Sequence, residues 1–122
     1  VPIPWSDTTE AYGWHRPWLA PPDNWTGLTV SAQHADPAST LWLYRDAARI
    51  RRTHDALGAG ELRWHAAPPG GLVFERAPGF ACAINFSAQS MPLPGYVKVL
   101  LASGPIDDAA LPPDTAAWLQ TD

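Results

Sequence analysis

The hydrophobic period of this chain changes once, at Gly60, and that change limits the folds open to it. From Ala38 to about Leu57, the positions Thr40, Leu43, Ala47, Ile50, His54 and Leu57 recur at steps of three and four. That spacing lines one face of a helix, and Arg45, Asp46, Arg49 and Arg52 fall largely elsewhere. Asp36-Pro37 precedes it: a carboxylate that can accept from the orphan N–H groups of a helix start, then a proline suited to the first helical position. The long helix is therefore expected to begin there and to end where Gly58 and Gly60 supply positive φ. Its cationic last turn, Arg49, Arg51, Arg52 and His54, complements the helix dipole and needs no binding role.

Beyond Gly60 the period is two. ELRWHAA pairs Leu62 with Trp64, GLVFERA pairs Leu72 with Phe74, and FACAINF aligns Phe80, Cys82, Ile84 and Phe86. YVKVLLA aligns Val97, Val99 and Leu101, and TAAWLQ closes the set of five candidate strands. The intervening PPGG, APG, SAQSMPLPG and SGPIDDAALPPD are turn chemistry, and Gly70-Gly71 reads as a hairpin turn. MPLP adds a short edge strand, since proline sits only where no ladder donor is needed. The fold class is α+β: an N-terminal irregular segment and one long amphipathic helix, followed by a small antiparallel β-sandwich. TVSAQHA, residues 29–35, allows one or two helical turns ahead of the long helix.

Residues 1–28 follow neither period. They hold Trp5, Trp14, Trp18 and Trp25, four of the seven tryptophans, among Pro, Gly and Asp, and read as an extended strap with a few turns. Tryptophan faces stack on sugars and a nearby carboxylate binds hydroxyls, so Trp5, Asp7, Trp14 and Trp18 are candidate contacts to an oligosaccharide. Composition alone favours the other reading, in which the same rings pack an extended strap onto a protein surface.

Charge and cysteine content exclude other classes. Twelve acidic against eight basic groups leave a net charge of -4, which disfavours nucleic-acid phosphate. No apolar run is long enough for a membrane span, and no signal peptide is recognisable. Cys82 is the single cysteine, so no intrachain disulfide forms and a reducing, cytoplasmic setting is expected. His15, His34, His54 and His65 lack metal spacing, and no phosphate loop occurs, so neither metal nor cofactor is expected. The loop carboxylates Asp7, Glu10, Asp23, Asp36, Asp107, Asp108 and Asp114 suit turns and caps better than a catalytic pair.

The order of these pieces resembles the end of the chain in bacterial glycoside hydrolases of the α-amylase superfamily, in particular the α-glucosidase and oligo-1,6-glucosidase group. VPIPW resembles the family's "R-x-P-M-x-W" near the eighth barrel strand, and TVSAQHADPASTLWLYRDAARIRR resembles "V-x-x-Q" followed by "D-P-x-S-x-L-x-x-Y-R-x-L-x-x-L-R". The likeness covers essentially the whole chain. It implies that residues 1–58 are the rim loop and last helix of a (β/α)8 barrel and that 61–122 are the C-terminal all-β domain. A barrel takes about 250 residues, so most of it would precede Val1. The family's nucleophilic Asp, acid/base Glu and stabilising Asp would lie there too, and none maps onto this chain. The expected role is scaffold in a retaining α-glucosidase-type enzyme acting on small α-glucosides, with no turnover by this chain alone. A stand-alone carbohydrate-binding module or a non-enzymatic interaction domain is the alternative. Without a barrel to cover them, the stripe Leu43, Ala47, Ile50 and Leu57 and the aromatic strap Trp5 to Trp25 are expected to drive self-association or to leave residues 1 to 28 mobile.

Overall fold

The computed structural model describes residues 3–7, 10–107 and 110–122. The chain forms two compact units, Val1–Arg45 and Asp46–Asp122.

In the first unit, a 3-10 turn over Glu10–Gly13 and a 3-10 helix over Asp23–Leu28 lead into α1, Val30–Ala35. Thr29 caps α1: its Oγ1 accepts from the Ala32 amide at 3.1 Å, and the residue is fully buried. The expected cap of the long helix is not where the sequence places it. The Asp36 carboxylate accepts from the Ala38 amide at 2.9 Å and its carbonyl from the Ser39 amide at 3.0 Å. That closes a turn, and α2 begins at Thr40. Gln33 meets the start of α2 instead. Its Oε1 accepts from the Leu41 amide at 3.1 Å, its Nε2 donates to the Leu28 carbonyl at 2.9 Å, and its own carbonyl accepts from Ser39 Oγ at 2.6 Å. One side chain thus ties three segments at the corner between α1 and α2.

Helix α2, Thr40–Thr53, stops short of the expected Leu57. His54 is extended, with φ -96 and ψ 114, and a separate short helix α3, Asp55–Ala59, follows. The His54 Nε2 lies 3.3 Å from Gln120 Oε1, and its ring meets Phe80 edge-on at 5.5 Å. Contacts to the sheet therefore interrupt a sequence whose periodicity would continue the helix. The glycine expectation also changes. Neither Gly58 nor Gly60 is left-handed, and Gly60 sits at φ -61 and ψ 143. What Gly60 supplies is space: a Cβ there would collide with the carbonyl oxygens of Ala56 and Ala77.

The second unit carries strands β1 (Glu61–His65), β2 (Gly71–Ala77), β3 (Phe80–Asn85), β4 (Met91–Pro92), β5 (Lys98–Ala102), β6 (Ala110–Leu111) and β7 (Thr115–Gln120). An antiparallel sheet in the order β1-β2-β3-β7-β5 is accompanied by the two-stranded β4-β6. The α+β class with a β-sandwich is thus present, and the MPLP segment is an edge strand as expected. Gly70 (φ 78) makes the β1–β2 turn, while Gly71 already belongs to β2.

On one side of the large sheet Val73, Ala81, Ala83, Ala117 and Leu119 pack with Met91 and Leu111 of the small sheet. On the other, Phe80 and Cys82 pack with Ala56 of α3, bordered by Leu57, Phe74, Ile84 and Trp118. Alternation in FACAINF predicts a strand with one buried face, but Ala81, Ala83 and Asn85 are buried along with Phe80 and Cys82. A central strand covered on both sides has no polar face to show. Phe86 lies beyond β3 and is exposed. In β5 a register shift between Val99 and Leu101 breaks the expected alternation, and Val97 lies outside the strand.

Asn85 is the polar exception in the core. Its Nδ2 donates to the carbonyls of Gln89 (2.8 Å), Leu111 (2.9 Å) and Pro112 (3.0 Å). Its Oδ1 accepts from the Ser87 amide (2.9 Å) and Ser87 Oγ (2.7 Å). The loop after β3 and the end of β6 are held by this one amide.

Candidate functional site

The aromatic strap has a defined backbone. Ala11 and Tyr12 take left-handed φ of 49 and 57, followed by Gly13 at 94. Such a run costs conformational energy in L-residues, and several bonds oppose it. The Tyr12 carbonyl accepts from the amides of Trp5 (2.9 Å) and Ser6 (3.3 Å), and the Tyr12 hydroxyl is within hydrogen-bond reach of the carbonyls of Pro22 (3.2 Å) and Asp23 (3.0 Å). The amides of Val30 and Ser31 donate to the carbonyls of Pro4 (2.8 Å) and Trp5 (3.0 Å), which pins the strap against the start of α1.

This framework gathers three of the four candidate residues. Trp5 is fixed through both its amide and its carbonyl, with its side chain half exposed. Trp14 commits its Nε1 to the Ile3 carbonyl at 2.7 Å and leaves part of the ring in solvent. Asp7 Oδ1 accepts from Ser31 Oγ at 3.3 Å, and Ser31 Oγ lies 3.2 Å from Thr29 Oγ1. Trp5, Asp7 and Trp14 therefore belong to one hydrogen-bonded strap. Trp18 stands 96% exposed and is not drawn into it. None of the four lines the cleft of about 260 Å³ bounded by Gly27, Gln33, Asp36 and Thr40.

Sequence reasoning passed over Tyr12 and Gln33, the two residues that organise this region. Gln33 occupies the last position of the V-x-x-Q segment, which was a usable signal. Tyr12 carries no such mark, because its importance comes from a left-handed turn that no propensity favours. On α2, Trp42 donates its Nε1 to the His34 carbonyl at 3.1 Å, stacks obliquely near the His34 ring, and lies 5.0 Å from the Arg45 guanidinium.

Three pairs of titratable side chains meet among the described residues. Asp46 binds Arg49 at 2.9 Å and His65 Nε2 meets Glu75 at 3.0 Å. The exposed Glu61 is pulled below the usual carboxylate range by its hydrogen bond and charge interaction with Arg63, which is shifted upward in turn. Burial pushes the Cys82 thiol up to about 11, so it is neither a thiolate nucleophile nor a ready ligand at neutral pH. Among the described residues, no group of three His, Cys, Asp or Glu side chains could hold a metal ion. No helix among them is long and apolar enough to cross a membrane.

Comparison with solved structures places this architecture. Trehalulose synthase MutB, solved as an inactive double mutant with isomaltulose, matches 98% of the chain at a TM-score of 0.79 and 24% identity. Trehalose-6-phosphate hydrolase from Bacillus licheniformis matches 98% at a TM-score of 0.77 and 18% identity. The α-glucosyl transfer enzyme XgtA matches 99% at 0.75 and 23%. The chain spans about a quarter of the length of each. It has, end to end, the fold of one part of α-amylase-family enzymes, which bears out at the level of fold the resemblance carried by VPIPW and TVSAQHADPASTLWLYRDAARIRR. No family model and no curated protein sequence matches it.

Proposed function

We propose that this chain is the C-terminal part of a retaining α-glucosidase-type glycoside hydrolase acting on small α-glucosides. In this reading residues 1–58 close the catalytic barrel, 61–122 are the C-terminal β domain, and the chain supplies scaffold and no catalytic carboxylate. The observation that carries the reading is coverage: nearly the whole chain superposes on about a quarter of enzymes whose names describe α-glucoside chemistry. Supporting it, the Asp36 carboxylate closes a turn, and those of Asp46, Glu61 and Glu75 pair with Arg49, Arg63 and His65. The parent enzyme would work in the cytoplasm, in keeping with a lone buried thiol.

Two arms test this. The chain alone should release no glucose from maltose, isomaltose or a nitrophenyl α-glucoside, whereas a polypeptide carrying the upstream reading frame should. Turnover by the chain alone that disappears on Asp7→Asn would overturn the scaffold reading. The stripe expected to drive self-association is not free, since Ile50 is buried and Leu43, Ala47 and Leu57 are half-buried; self-association of the chain alone would instead use exposed apolar groups such as Ile3, Leu28 and Tyr44. Sedimentation at rising concentration reads this directly, and a monomer throughout would count against a missing protein surface.

A second reading, a sugar-binding module, is favoured by the exposed ring of Trp18 and the half-exposed ring of Trp5. Titration with maltooligosaccharides separates the two: saturable binding lost in Trp5→Ala and Trp18→Ala supports the module.

A further inference from the structure

The second unit contains a cleft that the proposed function does not use. It has a volume of about 190 Å³ and is lined by Arg51 at the end of α2, Leu57 of α3, Phe74 and Arg76 of β2, Phe80 of β3 and Trp118 of β7. Its walls are largely aromatic, and the Phe80 and Trp118 rings meet edge-on at 5.6 Å and 73°. Two of the six lining residues are arginines and none is acidic. Neither arginine takes part in an ion pair among the described residues, although the chain as a whole is acidic. The Nε of Arg76 is buried and meets no acceptor among the described residues. A buried cationic donor is normally paired, since removing it from water without a partner is costly. The cleft thus has two guanidinium side chains on its lining, one of them with a buried unmet donor, against flat apolar walls.

We propose that this cleft binds a small carboxylate that carries a flat apolar group. A guanidinium presents its donors as a planar fork that matches a carboxylate, and Arg76 Nε is one donor of such a fork. Phe74, Phe80 and Trp118 provide the ring faces and edges for a planar body. The cleft is smaller than the sites of about 300 Å³ and above that hold drug-sized ligands, so the occupant is a compact molecule. A tetrahedral dianion would find only two cationic side chains on the lining, and the rest of that lining is apolar or aromatic.

The test uses the full chain, with 15N-detected NMR following the Trp118 indole N–H and the Arg76 Nε–H during titration with sodium benzoate. Benzamide, the neutral isostere, and inorganic phosphate are the comparison arms. Benzoate is expected to shift both signals saturably in the millimolar range, and benzamide and phosphate are not. Arg76→Gln should weaken benzoate by about tenfold or more, and Arg51→Gln by a smaller factor. If Arg76→Gln does not fold, the exposed Arg51→Gln variant and the benzamide arm decide. Absence of a saturable shift, equal binding of benzamide, unchanged affinity in the folded arginine variants, or phosphate binding as tightly as benzoate would each overturn the assignment.

Discussion

Replacing Asn85 by aspartate changes almost no volume but reverses the hydrogen-bonding character of one end of the side chain. Asn85 is 1% exposed, and its Nδ2 serves the carbonyls of Gln89, Leu111 and Pro112. In the aspartate an oxygen would face those three carbonyls, while the bonds from the Ser87 amide and hydroxyl to the other oxygen could persist. Losing two N–H donors costs about 1–3 kcal/mol. A buried carboxylate without a cationic partner brings the total to about 3–5 kcal/mol at neutral pH. The pH dependence has a definite sign. The carbonyl cage disfavours the ionised form, so the folded pKa lies above the unfolded value of about 3.9, and the folded state binds more protons between the two. The charge penalty is therefore full above the folded pKa and shrinks as pH falls towards the unfolded value, where a protonated aspartate can also donate one hydrogen bond. Urea unfolding of Asn85→Asp against the parent sequence, at pH 4 and pH 7, measures both quantities. A loss below about 0.5 kcal/mol at pH 7, or a gap that does not narrow at pH 4, would show that this amide does not hold the loop and β6 as described.

Further outcomes follow from the packing. Gly60→Ala should destabilise by about 2 kcal/mol or more because its Cβ meets two carbonyl oxygens. Gly58→Ala has open space and a helical position, so it should stabilise by about 0.5–1 kcal/mol; thermal melts of the pair reveal whether clash or conformation governs this corner. Leu111→Ala, at a fully buried position, should cost about 2–5 kcal/mol, and a smaller loss would mean that the β4-β6 sheet is not an integral wall of the core. The Cys82 thiol should resist an aromatic disulfide reagent at pH 8 until urea unfolds the chain. Its folded pKa, raised by burial from 9.0 to about 11, also means that stability falls as pH rises through that window, because only the unfolded thiol ionises there. Native-state labelling at the unfolded rate would contradict the burial.

Much of the architecture was legible in the chain because it rests on local pattern. The switch at Gly60 from helical to alternating spacing separates the helices from β1–β7, and turn residues mark the joins between strands. The V-x-x-Q and D-P-x-S-x-L-x-x-Y-R pattern is a local signature of the fold that the solved structures share. For the candidate strap, sequence chemistry named Trp5, Asp7, Trp14 and Trp18, but not Tyr12, whose hydroxyl and carbonyl hold it together.

What tertiary structure decided concerns groups whose partners lie far along the chain. His54 ends α2 because Phe80 and Gln120 engage its ring, and these are distant in sequence. Asp36 yields the helix start to Gln33 because only the folded corner brings that amide to Leu41. Gly60 is needed for its missing Cβ, since the carbonyls of Ala56 and Ala77 converge on it, and not for left-handed backbone. The cleft between Arg51 and Arg76 exists only because α2, α3 and three strands meet there. Periodicity and turn chemistry record what a residue does with its near neighbours; hydrogen bonds, voids and unpaired charges between distant segments depend on closure of the chain, and no local pattern encodes them.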